Sequence, residues 1–267
     1  MASKRPAPCR LFCILARAAP AGVLFRRGPS NWVQLIKWNT KTDAFEHGQW
    51  FKGRIYERRC DLSPDGSLLI YFAQKLNQRT LSDPEYTFAW TAISKPPFLT
   101  ALALWPKGDC WDGGGLFKDS KTVLLNHKPD AKPHPKHQPK GLKIILNAKA
   151  AGEDERLWRD DWRTEQAGIW MKPNATGKFI LTMKLDAIDM TAFGGPFLLN
   201  FGLTRMGDGK RSDLGRATWA DWDHRGRLVL TKQGKLFAGK VNDDLEVSFA
   251  ELADFNSAKP VELESPA

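Results

Sequence analysis

Histidine, cysteine and tyrosine are scarce in this chain of 267 residues, with five, four and three copies respectively. Cys9, Cys13, Cys60 and Cys110 form no CxxC pair, and none has a histidine at zinc-ligand spacing, which excludes the common structural zinc modules. Thiols in a reducing compartment are the expectation, and with them a cytoplasmic location. There is no GxSxG elbow and no cysteine beside a histidine, so nucleophilic catalysis has no motif to rest on. Gly113-Gly114-Gly115 lacks the Lys-Ser/Thr pair of a phosphate-binding loop. It points instead to a tight turn or a close approach of backbone. No apolar run nears the ~20 residues of a membrane-spanning helix. The apolar stretch 11–15 is short and is broken off by Arg17, so a secretory leader is not expected. Acidic residues are outnumbered, 30 against 40 basic, for a net charge of +10. A basic surface suits polyanions, and nucleic acid is a conceivable partner on that ground. The lysines and arginines are spread along the chain, however, which is the pattern of an ordinary solvated surface. No cofactor is implied.

What is abundant is aromatic and apolar. Eleven Trp and fifteen Phe need large packing surfaces. Apolar residues make up 42% and charged residues 26%, the balance of a globular chain with a core. Short apolar runs recur, each opening on a turn residue: Gly22, Gly66, Ser120, Gly177 and Gly226. The steps between them are 44, 54, 57 and 49 residues. A period near 50 marks an array of supersecondary units. Side chains alternate faces along a strand, so a continuous apolar run is buried on both. The segments between the runs read as further strands rather than crossover helices, and stacked antiparallel blades bury both faces without helices. The expected fold is therefore all-β: a small β-propeller of about five four-stranded blades. It forms a single domain over 1–255, with loops or inserts at 127–141 and 152–166 and a polar tail at 256–267. The third and fourth blades, between about 127 and 215, fit the scheme least well.

The stretch 61–72, DLSPDGSLLIYF, resembles the repeat of TolB-type β-propellers, in which a Ser-Pro-Asp-Gly turn joins the innermost strand to the next. Residues 222–229, WDHRGRLV, look like a degenerate copy. The resemblance implies a propeller used as a binding platform, and it carries no catalytic residue over.

Candidate functional residues fall in two groups. Asp61, Asp112, Asp161 and Asp221 each stand at or before an expected innermost strand, where they would line a central channel. A ring of carboxylates can hold a cation, and a facing pair can serve glycoside hydrolysis, a chemistry some five-bladed propellers perform. The simpler role is to cap turns through backbone hydrogen bonds. His127, His134 and His137 lie in a Pro- and Lys-rich segment, HKPDAKPHPKHQPK, expected to be a solvated loop with no preformed metal site. The second group pairs arginine with aromatic residues. Arg54, Arg58 and Arg59 cluster with Trp50, Phe51 and Tyr56. In the insert GEDERLWRDDWRTEQ, Arg156, Arg159 and Arg163 alternate with Trp158 and Trp162, and helical spacing predicts a short helix there. Desolvated Trp and Arg are the usual anchors of protein interfaces. The preferred function is thus a non-enzymatic scaffold that binds a protein partner through Trp158, Arg159, Trp162 and Arg163, with Arg58 and Arg59 as a second patch. A glycan-binding or glycan-hydrolysing propeller and a nucleic-acid-binding protein are the alternatives.

Overall fold

The computed structural model describes residues 7–28, 30–146, 152–188 and 197–265. Among them the chain forms five separate sheets, taken up one after another, and none closes into a barrel. The first sheet holds β1 (Arg10–Leu15), β2 (Ala21–Arg27), β3 (Trp32–Asn39) and β4 (Ala44–Lys52) in that order. The second holds β5 (Arg54–Ile55), β6 (Asp61–Leu62), β7 (Leu69–Gln74), β8 (Ala89–Ser94) and β9 (Ala103–Pro106), with β5 and β6 both paired to β7. The third is β10 (Gly115–Phe117), β11 (Thr122–Leu125) and β12 (Lys143–Leu146). The fourth is β13 (Arg163–Gln166), β14 (Ile169–Pro173), β15 (Phe179–Ile188), β16 (Phe197–Arg205) and β17 (Arg211–Ala217). The last is β18 (Trp219–Trp222), β19 (Leu228–Lys232), β20 (Lys235–Gly239) and β21 (Ala250–Asp254). Two short α-helices are described, α1 (Gln78–Leu81) and α2 (Glu153–Arg159), with one 3-10 turn at Glu57–Arg59. The all-β expectation holds.

The recurring apolar runs became β2, β7, β11, β15 and β19. Each has a hydrogen-bonded neighbour on both sides within its sheet; β2, β7 and β19 are buried on both faces over most of their length, whereas β15 alternates between buried and partly exposed positions. All six residues of β7 are buried. The two turns that resemble each other in sequence are also built alike. Gly66 adopts φ +73° and Gly226 φ +68°, values that favour glycine. In the first turn Asp65 Oδ1 accepts from Ser67 N at 3.1 Å. In the second, Asp223 Oδ1 accepts from Arg225 N and Arg227 N at 3.0 and 2.9 Å. The first turn joins β6 to β7 and the second β18 to β19.

The region expected to be irregular differs in three ways from the four-stranded scheme. The third sheet has three strands, and β11 pairs with β12 in parallel, Thr122 opposite Lys143. A parallel pair needs a long connection, and the segment 127–141 is that connection. It is irregular and largely exposed, as expected of a loop, but it is tied down at its histidines. His127 and His134 are buried at 3% and 1% exposure, and His134 N donates to Leu104 O at 2.7 Å. The fourth sheet has five strands, because the end of the expected insert, 163–166, is itself the edge strand β13.

The chain divides into two compact units, one of residues 1–12 and 157–258, the other of residues 13–156 and 259–267. In the first, Leu181, Leu199, Phe201 and Leu203 of the fourth sheet pack with Trp222, Leu228 and Leu230 of the fifth, and Leu157 and Trp162 join them. Cys9 N also donates to Asn256 Oδ1 at 2.9 Å, and Thr231 Oγ1 to Leu11 O at 3.3 Å. In the second unit Ile70, Ile93 and Trp105 of the second sheet pack on Phe117, Val123 and Leu125 of the third. Both are sheet faces stacked through apolar side chains, the arrangement the doubly buried runs require.

Candidate functional site: the corner around helix α2

Helix α2 begins on three acidic residues, Glu153, Asp154 and Glu155, which suit the positive end of a helix dipole. Leu157 faces the core while Trp158 faces out, 49% exposed. The indole of Trp158 has two neighbours. It lies 6.1 Å from the Trp170 ring of β14, and its Nε1 donates to Thr164 Oγ1 at 3.4 Å. Just past the helix, Arg163 donates through Nη1 to the carbonyls of Trp158 and Trp162 at 2.7 and 2.9 Å. A cation at the carbonyl end of a helix is favourably placed. Arg163 also lies 3.5 Å from the exposed carboxylate of Asp161. Arg159 grips Asp160 as a fork, Nε to Oδ1 at 2.9 Å and Nη2 to Oδ2 at 3.1 Å.

Behind this surface lies a second, more enclosed layer. Trp162 is 3% exposed, so it anchors the corner to the core and offers no surface of its own. Its ring is covered by Lys172 Nζ, 5.8 Å from the centroid. The same ammonium lies 2.7 Å from Asp221 Oδ1, with both side chains largely enclosed, at 16% and 14% exposure. Burial pushes the Asp221 carboxyl above the usual carboxylate range, and the nearby Asp160 adds to this, while Lys172 and the Trp222 N–H oppose it. The Trp222 indole donates to the Lys172 carbonyl at 3.2 Å and ties β18 to β14. The corner thus holds an ion pair largely withdrawn from water beside the Trp162 ring.

Six of the ten residues singled out from sequence therefore meet here: Trp158, Arg159, Asp161, Trp162, Arg163 and Asp221. Lys172, Trp170 and Asp160 were missed. Trp170 and Lys172 are two apart on β14 and so share a face, a signal weakened by the polar and irregular stretch around it. The other four residues lie in the second unit and do different work. Asp61 is fully buried, and its Oδ2 accepts from Phe117 N at 2.7 Å. It pins the second sheet to the third, as a buried carboxylate with a backbone donor does. Asp112 is exposed at the surface with φ +57°. Arg58 is ion-paired with Glu153. Arg59 donates to the carbonyls of Cys110 and Asp112 at 2.8 and 2.5 Å. That contact explains the glycine run: a Cβ on Gly114 would stand 1.9 Å from the Arg59 carbonyl oxygen. The three histidines do not assemble as ligands. His127 Nε2 lies 2.8 Å from Thr91 Oγ1, whereas His134 stacks on Tyr86 at 4.1 Å. No cluster that could hold a metal ion occurs among the described residues, and no helix among them is long and apolar enough to cross a membrane.

No protein-family model matches the chain, the TolB repeat included, and no curated protein matches it. Among solved structures it is similar to an uncharacterized protein from Listeria monocytogenes EGD-e, with 10% identity and a TM-score of 0.32 over 91% of this chain and 66% of that one. It is also similar to a mutant of the GH43 protein BlXynB from Bacillus licheniformis, with 9% identity and a TM-score of 0.37 over 93% of this chain and 53% of that one. The chain thus spans just under two thirds of the first protein's length and about half of the second's.

Proposed function

We propose that the five sheets are the blades of a single propeller over 1–255, and that this propeller is a non-enzymatic platform for a protein partner. The partner docks on the α2 corner, and the cytoplasm is the compartment that suits a chain whose Cys60 and Cys110 are thiols. One observation carries the reading: Trp158 is a large apolar side chain, half exposed, yet held in one orientation by Trp170 and Thr164. Arg163, fixed on two carbonyls, flanks it. Trp and Arg anchors that are already ordered lose little rotamer freedom on binding. The test is to capture the partner with the tagged chain, purify it, and measure its Kd against the native chain, Trp158→Ala and Arg163→Ala. Trp158→Ala is expected to raise Kd at least about tenfold, or ~1.4 kcal/mol, while the circular dichroism stays native. An unchanged Kd refutes the docking site.

A second reading draws on the enclosed layer. Asp221, with its carboxyl pushed up by burial and paired with a Lys172 that lies over the Trp162 ring, suits a glycan ligand. It predicts saturable binding of the native chain to at least one member of an oligosaccharide panel, lost in Asp221→Asn. No binding across the panel removes it.

A further inference from the structure

We propose that Arg54, Tyr56 and Arg59 form a binding site for a small tetrahedral oxyanion of the phosphate type, in the unit that does not contain Trp158. The case begins with charge left without a counter-charge. Arg54, in β5, has its guanidinium carbon 4.2 Å from the centre of the Tyr56 ring. That of Arg59 lies 5.0 Å from the same ring and 5.5 Å from Phe72. Two guanidinium groups therefore share one tyrosine, and neither forms an ion pair with a carboxylate among the described residues. Three nearby acids are engaged elsewhere, Glu57 with Arg27 at 3.9 Å, Glu153 with Arg58, and Asp109 with Lys107 at 3.0 Å, and the exposed Asp112 forms no ion pair with either arginine. Arg59 spends one nitrogen on two backbone carbonyls, which orient the group without neutralising it.

Arg54 is the more telling of the two. Its Nε is buried and has no hydrogen-bond partner, and no hydrogen bond of its guanidinium to any described residue is present. A buried donor on a charged group costs free energy unless something accepts from it. Guanidinium presents its donors in a fork that matches the oxygens of a phosphate. The Tyr56 ring orders both groups by cation–π attraction, and its hydroxyl is itself tied to Gln74 Oε1 at 3.0 Å. The site is rigid at its base. β5 pairs Arg54 with Gln74, and the carbonyls that hold Arg59 belong to the turn that precedes Gly113-Gly114-Gly115.

Cys110 supplies a local reporter. Arg59 is bonded to its carbonyl, and it is partly exposed while Cys9, Cys13 and Cys60 are buried. The experiment has two arms. In the first, calorimetric titrations with inorganic phosphate and with sulfate are compared for the native chain, Arg54→Gln and, as a control, Arg79→Gln on the distant surface helix α1. Saturable phosphate binding that weakens at least tenfold in Arg54→Gln and is unchanged in Arg79→Gln supports the site. Equal weakening in both variants, or no saturable binding to the native chain, overturns it. The sulfate arm tells whether protonation of the anion matters to recognition. In the second arm the native chain alone is labelled at Cys110 with an anionic aromatic disulfide. Phosphate is expected to slow labelling several-fold with the same half-saturation as in the titration. Labelling that is indifferent to phosphate overturns the proposal, whether or not Arg54→Gln folds.

Discussion

Acid should destabilise this protein through His127, by an amount that can be worked out. The imidazole is buried at 3% exposure. Its Nε2 lies 2.8 Å from Thr91 Oγ1, whose oxygen already accepts from Gly114 N at 2.8 Å. Burial, and then the positive charge of Lys107, pull its pKa down to about 4, against a smaller opposing effect of Asp109. An unfolded histidine titrates near 6.5. Above pH 6.5 the ring is neutral in both states and folding is indifferent to pH at this site. As pH falls below 6.5 the unfolded chain takes up a proton that the folded chain refuses, so stability is lost until pH approaches 4. At about 1.4 kcal/mol per pH unit the full loss is ~3.4 kcal/mol, of which ~2.5 kcal/mol has gone by pH 4.5. Carboxylates elsewhere also titrate in acid, so the measurement must be a difference. Urea unfolding followed by tryptophan fluorescence, at pH 7.5 and 4.5, would be run on the native chain and on His127→Gln, which cannot take up the proton. The native chain should lose about 2.5 kcal/mol more than the variant between the two pH values. Equal losses would refute the reasoning and mean that the imidazole is charged, or solvated, in the folded state.

Two further outcomes rest on close contacts. Lys172→Met leaves the enclosed Asp221 carboxylate without its ammonium, and should cost about 3–5 kcal/mol at pH 7.5. The deficit should shrink as pH falls, because burial already raises the Asp221 pKa and loss of Lys172 raises it further, so the carboxyl neutralises sooner; a deficit independent of pH would contradict the buried ion pair. Gly114→Ala places a methyl group 1.9 Å from the Arg59 carbonyl at a residue with φ +79°. It should lose at least about 2 kcal/mol in the same unfolding assay, and a stable variant would show that the Arg59 turn yields to the added methyl.

The all-β class and the sheet count were legible because they depend on local rules. A strand covered on both faces must be apolar on both, and that produces a continuous run wherever it occurs. Five such runs, each preceded by a turn residue, became the central strands β2, β7, β11, β15 and β19. The turn at Gly66 and its counterpart at Gly226 were legible for the same reason: each glycine, bonded back to the polar residue three before it (Ser63 or Asp223), satisfies a conformation set within a few residues. The departures in the third and fourth sheets were not. The prolines and lysines of 127–141 correctly marked an exposed loop. That this loop is also the crossover between β11 and β12, with two buried histidines, depends on a parallel pairing made between residues some twenty positions apart.

The sites divide along the same line. Sequence alone determined which residue types were available and where they crowd: the Trp and Arg insert at 152–166, the arginines around Tyr56, the aspartates before the strands. Tertiary structure decided the role of each. Helical spacing put Trp158 and Trp162 in one segment, but only packing turned one outward and buried the other under Lys172. Asp61 and Asp221 look equivalent in sequence. One became a pin between sheets through Phe117 N, and the other the buried half of an ion pair. The physical reason is that burial, desolvation and charge pairing belong to the neighbourhood a side chain reaches. That neighbourhood, which leaves Arg54 beside Tyr56 without a counter-ion, is assembled from strands far apart in the chain.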